Sequence, residues 1–283
     1  MKGSNDPMLN VDKRMKPRDA LEVSPFDTGV FHWKMNTRSI EESEWLQVDA
    51  CREEDLLLKA QGPVGNHLNA SEVTSLKLMQ TIQNWLNDRS VSLPKLDDSL
   101  HPIDRCGRLI QEDVCLMERI SELWTLTAAS VCFPTHWDPI SKMGLPLDAI
   151  HEPVPRYEKD LKPRPGNFMN RIADGMIVAR TGWSLTACSD LALTQEKETF
   201  CEDPAEIIVR VERQTLRRIP DSDAIVFTIR IHRWPLILIK EDPLLSEDLL
   251  TSLKNLPEEI KNYKTETVGL APLVDKYLNS FNC

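Results

Sequence analysis

Apolar and polar residues alternate along two neighbouring stretches, Glu206 to Pro220 and Ala224 to His232. Both are rich in Val, Ile, Phe and Thr, and period two in such residues predicts two long β-strands. On alternate positions they carry Arg210, Glu212 and Gln214, then Thr228, Arg230 and His232. Residues i and i+2 of a strand share a face. One face of the pair is therefore expected to be apolar, and the other to carry charged and hydrogen-bonding groups. Such a face either meets solvent, as in many antiparallel sheets, or lines a buried pocket.

Three further stretches read as strands: 113–117, 123–133 and 176–185, the first two joined as a hairpin across 118–122. Helical spacing appears in Val73, Leu76, Leu78, Met79, Ile82, Trp85 and Leu86, a stripe that predicts core packing. Ser39-Ile-Glu-Glu42 has the form of a capping box, and a helix is expected to follow through Trp45, Leu46 and 53–59. Residues 88–106 read as a Pro-, Asp- and Ser-rich connector, and 134–155 as a proline-punctuated loop. A helix after Pro155 is expected to break near Pro163 and Pro165, with a second piece at 166–173. Three helices close the chain, at 247–255 after Ser246, from Pro257 to about Lys264, and from Pro272. Residues 1–24 offer few apolar groups and are expected to form a flexible arm. The sum is one α+β domain over 25–283, a mostly antiparallel five-stranded sheet with flanking N- and C-terminal helices.

Composition narrows the function. A formal net charge of −10 argues against sequence-independent nucleic-acid binding, which needs a basic footprint. No run of about 18 apolar residues exists, so no membrane span is expected. The N-terminus lacks the apolar centre of a secretory signal. The 7 cysteines are odd in number, widely spaced and free of any C-x-x-C pair, which points to an intracellular, cytoplasmic protein. Gly-x-Ser-x-Gly, P-loop, G-x-G-x-x-G and H-E-x-x-H motifs are absent from the chain.

One loop holds candidate chemistry. It opens with Cys132-Phe-Pro-Thr-His-Trp137 and closes with Ile150-His-Glu-Pro-Val-Pro-Arg-Tyr157. His151, between an Ile and a proline-stiffened turn, is either a satisfied structural histidine or an axial ligand to a haem iron. Cys132 is a rival thiolate ligand, although a Cys before Phe-Pro at a strand end also reads as core.

These motifs resemble a known family. Gly107-Arg-Leu-Ile-Gln-Glu-Asp-Val-Cys-Leu-Met117, Cys132-Phe-Pro, Ile150 to Tyr157, Arg210-Val-Glu-Arg-Gln-Thr-Leu-Arg-Arg-Ile-Pro220 and Phe227-Thr-Ile229 look like the haem-dependent oxidative N-demethylases, in the family's order, over about residues 25–265. The resemblance implies a PAS-like sheet and a haem (heme b) subunit. It implies a monooxygenase that uses O₂ to convert a small secondary amine such as dimethylamine to the primary amine and formaldehyde. NADPH, FMN and an iron–sulfur cluster would act only through partner proteins, a flavin and iron–sulfur reductase. Under it His151 is the metal ligand. Arg210 and Arg230 are propionate partners, with Trp183 also assigned to the cofactor. Glu212 is the carboxylate for a protonated amine, with Glu112 and Asp113 as its runners-up. The chain departs from the family at Gly182-Trp183, where Asn-Trp is usual, and at His232-Arg-Trp234. A non-catalytic haem- or small-ligand-binding PAS-like protein is the alternative.

Overall fold

The computed structural model describes residues 15–21, 23–194, 201–265 and 270–280. Along the chain the elements are α1 (Pro17–Ala20), β1 (Arg38–Ile40), α2 (Arg52–Gln61), β2 (Asn66–His67), α3 (Glu72–Asn87) and α4 (Pro102–Leu109). The hairpin β3 (Asp113–Ile120) and β4 (Leu123–Ser130) leads to short helices α5 (Pro139–Lys142), α6 (Leu147–His151) and α7 (Arg164–Met169). Strands β5 (Ile177–Thr186), β6 (Ile208–Arg218) and β7 (Ile225–Pro235) precede α8 (Leu236–Lys240), α9 (Pro243–Asn255), α10 (Glu258–Thr265) and α11 (Leu270–Asn279).

The sheet has seven antiparallel strands in the order β1-β5-β6-β7-β3-β4-β2. The five expected strands form its centre. The two additional ones are short edge strands of three and two residues, below the length at which alternation can be recognised. The β3–β4 turn is tighter than the expected five-residue gap. Ser121 and Glu122 both take left-handed φ, 49° and 68°, the backbone sense that matches strand twist in a two-residue hairpin.

The chain forms two compact units, and the chain crosses from one to the other within β5, β6 and β7. The larger comprises 33–180 and 214–230. One side of its sheet buries Val114, Leu116 and Val226 with Leu78, Ile82, Trp85 and Leu86 of α3 and Ile103, Cys106 and Leu109 of α4. Helix α4 begins inside the stretch expected to be a connector and runs three residues past its end. His101 Nδ1 caps it by accepting from Ile103 N at 3.2 Å, and Pro102 occupies its first turn. Gly107 lets it press on β4, because a Cβ there would stand 2.2 Å from Ser130 Oγ. The other side buries Cys115, Met117, Trp124, Leu126, Val178, Leu216 and Ile225 with Met169 and Ile172.

The capping-box helix is also revised. Glu42–Glu44 is a single 3-10 turn, and the true helix α2 starts only at Arg52.

The smaller unit comprises 1–32, 181–213 and 231–283. Its helices bury Leu245, Leu249 and Leu253 of α9, Ile260 of α10 and Leu270, Val274 and Leu278 of α11. Asp242 caps α9, accepting from Leu244 N and Leu245 N at 3.2 Å each, and so takes the role expected of Ser246. Part of the stretch expected to be a flexible arm is held here. Ala20 and Leu21 are buried, Arg18 pairs with Asp242 at 2.7 Å, and Trp234 Nε1 donates to Met15 O at 2.9 Å.

Candidate functional site

In the larger unit, α6 ends at His151. His151 Nδ1 lies 2.9 Å from Leu147 O. A carbonyl only accepts, so Nδ1 carries the hydrogen and Nε2 keeps the lone pair. Burial holds the imidazole below its ordinary pKa. The Leu147 bond and Asp148 oppose this, and Arg180 and Lys142 reinforce it. The result is a neutral ring whose lone pair lies on Nε2, as the bond at Nδ1 defines.

Tyr157 completes this corner. Its ring stacks on His151 at 5.2 Å between centroids and 16° between planes, and its hydroxyl donates to Asp148 Oδ1 at 2.7 Å. Burial and the adjacent carboxylate push the phenol pKa up, so it stays a donor. Arg156, with φ at 63°, makes the left-handed turn that presents Tyr157. Trp33 Nε1 fastens the same turn through Pro155 O at 2.8 Å. Leu147, Ile150, Met143, Trp137, Phe168 and Phe227 pack around the adjoining apolar cluster.

Elsewhere in the same unit lies a buried charge network. Arg230 donates to Asp55 Oδ2 at 3.0 Å and Asp49 Oδ2 at 2.8 Å, and Gln111 Nε2 bonds both carboxylates at 2.7 and 2.9 Å. Lys59, fully buried on α2, donates to Gly107 O at 3.2 Å and to Glu112 O, and its Nζ is 3.3 Å from Asp113 Oδ1. Asp113 in turn accepts from Cys132 N at 3.0 Å and Phe133 N at 2.8 Å. Glu112 Oε1 accepts from Gln47 N at 2.8 Å, while its Oε2 is buried without a hydrogen-bond partner. Burial raises the Glu112 pKa against the lowering effects of Arg230, its hydrogen bonds and Lys59.

The smaller unit holds the remaining predicted residues. Arg210 is buried and donates to Asp190 O at 3.3 Å and Leu191 O at 2.8 Å. Trp183 meets Phe26 edge-on at 5.4 Å, and Lys264 sits over its ring at 4.5 Å while donating to Trp183 O. Glu212 is half-buried on β6. With burial it helps to raise the Tyr263 pKa. Among the described residues, nothing beyond its chain neighbours lies within 4 Å of where a Cβ at Gly182 would project.

The structure therefore divides the predicted set. Glu112 and Arg230 belong to one network, and His151 to a separate corner with Tyr157, Asp148 and Arg180. The expected common polar face of the two long strands does not form. Thr215 Oγ1 bonds Thr228 Oγ1 at 2.5 Å, which places Thr215 and Thr228 on one face. Arg217 shares that face, with its guanidinium 4.2 Å above Trp45, and Leu216 faces the opposite cluster. Gln214 follows Leu216 by alternation, whereas Thr228 and Arg230 take the other side. Sequence spacing gives parity within each strand. It does not give the register that relates the two.

Cys132 is a buried cysteine whose thiol is held in the neutral form. Burial is the main cause that pushes its thiol up to about 11, and its backbone is committed to Asp113. Lys59, Asp49 and Asp55 were not found from the sequence, because isolated charges on a helix and a loop look like solvated surface. Tyr157 stood in the recognised motif but carried no signal of its own.

A family model described as haem-dependent oxidative N-demethylase, alpha subunit-like, matches residues 68–272.

Proposed function

The chain belongs to the haem-dependent oxidative N-demethylase alpha-subunit-like family, and from that premise we propose that it is a haem-binding subunit that demethylates a small secondary amine such as dimethylamine. In this reading a methylamine group R–NH–CH₃, O₂, two electrons and two protons give R–NH₂, formaldehyde and water. The observation that carries it is the His151 Nδ1–H to Leu147 O bond, which leaves a neutral imidazole with Nε2 as the ligating nitrogen. Bound haem (heme b) would supply the oxygen chemistry.

The chain's own residues supply ligation, charge and dryness. His151 holds the metal, and the apolar cluster beside it excludes water. Arg180, whose charge acts on His151, is a further proposed propionate partner beside Arg230, whose guanidinium pairs with two carboxylates. Arg210 is likewise engaged, with two backbone carbonyls. Glu212 remains the proposed carboxylate for the protonated amine, with Tyr263 in its field, and Trp183 remains a proposed cofactor contact. Glu112 is the second proposed acid, because burial favours its protonated form. Electrons would come from NADPH through a partner carrying FMN and an iron–sulfur cluster, a role for the other subunits that an alpha subunit implies. The order of the five long strands, second, first, fifth, fourth, third, supports the PAS-like reading. The free cysteines support a reducing, cytoplasmic setting.

Gly182 favours a second reading, a haem-binding protein without turnover. The family's usual amide is missing there, and the space it would fill is open. Titration of the purified protein with hemin, followed in the Soret region, tests both. Saturable uptake with a spectrum altered by His151→Ala is expected, and absence of uptake overturns both readings. With a surrogate reductant, O₂ and dimethylamine, formaldehyde above a free-hemin control supports the enzyme, and its absence supports the binder.

A further inference from the structure

The segment 147–157 folds back on its own histidine. His151 would rotate about its Cβ–Cγ bond if only the Leu147 carbonyl held it, because one hydrogen bond leaves the ring plane free to tilt. Two further contacts remove that freedom. The Tyr157 ring covers one face of the imidazole, nearly parallel at 16°. The Tyr157 hydroxyl is itself held by Asp148 at 2.7 Å, on the helix that carries His151. The backbone returns through two turn bonds, Val154 N to His151 O at 2.9 Å and Tyr157 N to Val154 O at 3.1 Å, and the Arg156–Asp160 ion pair at 2.8 Å braces the bend.

We propose that Tyr157 is the positioning residue for His151, fixing the plane of the imidazole and hence the direction in which Nε2 offers its lone pair. The Asp148 carboxylate acts through Tyr157 by fixing the phenol. This rests on His151 being the haem ligand for its functional meaning, but the orienting contacts stand in the protein without haem. A stacked, hydrogen-bonded ring also excludes water from one face of the imidazole, so loss of Tyr157 loosens both tilt and solvation. Groups that orient a ligating histidine change metal affinity by roughly 10–100-fold when removed.

The test uses Tyr157→Leu, which removes the stack, Tyr157→Phe, which keeps the stack and loses the Asp148 bond, and His151→Ala. In the haem-free protein, side-chain ¹⁵N NMR of histidine is expected to show His151 as the single Nδ1–H tautomer in wild type and an exchanging mixture in Tyr157→Leu. In hemin-loaded protein, Tyr157→Leu is expected to release hemin about 10-fold faster and to shift and broaden the iron–histidine band of the ferrous Raman spectrum. Tyr157→Phe restores most of the band position. A folded Tyr157→Leu with an unchanged tautomer, band and release rate overturns the role of Tyr157. A spectrum unchanged in His151→Ala overturns the ligand reading instead, and the haem-free tautomer then decides the Tyr157 contact alone. Should Tyr157→Leu not fold, Tyr157→Met, which also removes the aromatic face, is read in its place, and an unchanged tautomer, band and release rate there overturn the role.

Discussion

Thr215 Oγ1 and Thr228 Oγ1 meet at 2.5 Å across β6 and β7, both fully buried, and this contact decides which side chains of the two strands share a face. It sends Arg230 towards Asp49 and Asp55, while Gln214 and Leu216 turn to the other side. Two patterns that look like one polar surface in sequence are two surfaces in the fold.

Each threonine satisfies the other, so removing one hydroxyl strands its partner. Thr215→Val or Thr228→Val alone is expected to destabilise by about 1–3 kcal/mol. The double variant should lie closer to wild type than the two single effects combined. Urea denaturation of all four proteins measures the coupling, and additive losses would contradict it.

Gly107 is required by contact rather than by backbone freedom. Gly107→Ala places a Cβ 2.2 Å from Ser130 Oγ and 2.6 Å from Ser130 Cβ, with helix α4 and strand β4 both unable to yield. A loss of about 1–3 kcal/mol or more is expected. Ser130→Gly in the same chain should recover most of it, read as thermal midpoint, and no recovery would locate the strain elsewhere.

Lys59 ties helix α2 to the start of β3. Lys59→Met leaves Asp113 as a buried charge without its cation and two carbonyls without a donor. Breaking a buried pair in this way costs about 3–5 kcal/mol. Because Asp113 also receives Cys132 N and Phe133 N, Asp113→Ala should additionally loosen the 132–137 loop. Hydrogen exchange at those two amides checks this, and unchanged protection would refute it.

Stability should depend on pH through His101. Burial lowers its pKa, as does the stacked His67 at 3.6 Å, while Glu72 and Asp104 pull the other way. Only a neutral ring can accept from Ile103 N at Nδ1. The unfolded chain therefore binds a proton that the folded chain refuses, and stability falls as pH drops through about 6.5. His151 acts in the same direction. His101→Asn, which keeps a cap acceptor, should flatten the curve between about pH 7.5 and 5.5. A slope identical to wild type would remove His101 from the account.

Glu112 works in the opposite sense. Its folded pKa is raised, so the folded state holds a proton that the unfolded state releases, and stability falls as pH rises above the ordinary carboxyl value of about 4.3. Glu112→Gln is expected to stabilise the protein at neutral pH, measured by urea denaturation at pH 5 and pH 8. An equal change in stability from pH 5 to pH 8 in wild type and in Glu112→Gln would show that the buried carboxyl does not titrate there.

The five long strands, the C-terminal helices and the Leu78, Ile82, Trp85 and Leu86 part of the α3 stripe could be read from the chain, because local periodicity records which positions face the core; Val73 and Leu76, expected in that stripe, are exposed. Helix α4 could not. Its charged residues Asp104, Arg105 and Arg108 mask a short apolar face of Ile103, Cys106 and Leu109, and Asp104 and Arg108 satisfy each other at 2.7 Å across one helical turn. The motifs that carried the family resemblance proved to be of two kinds. Gly107, Asp113 and Cys132–Phe133 build a buried joint, while Ile150 to Tyr157 builds the candidate ligand corner.

The amino-acid sequence by itself determined the strand parity, the sheet-forming class and His151 as the residue to examine. All of these depend on neighbours within a few positions. Only the tertiary structure decided that Leu216 and Arg230 point to opposite sides, that Arg230 is consumed by Asp49 and Asp55, and that Tyr157 lies on His151. The physical reason is that partners separated by more than 170 residues, as Asp55 and Arg230 are, meet through sheet register and helix packing. Those relations are set by the summed burial of many side chains and leave no periodic trace along the chain.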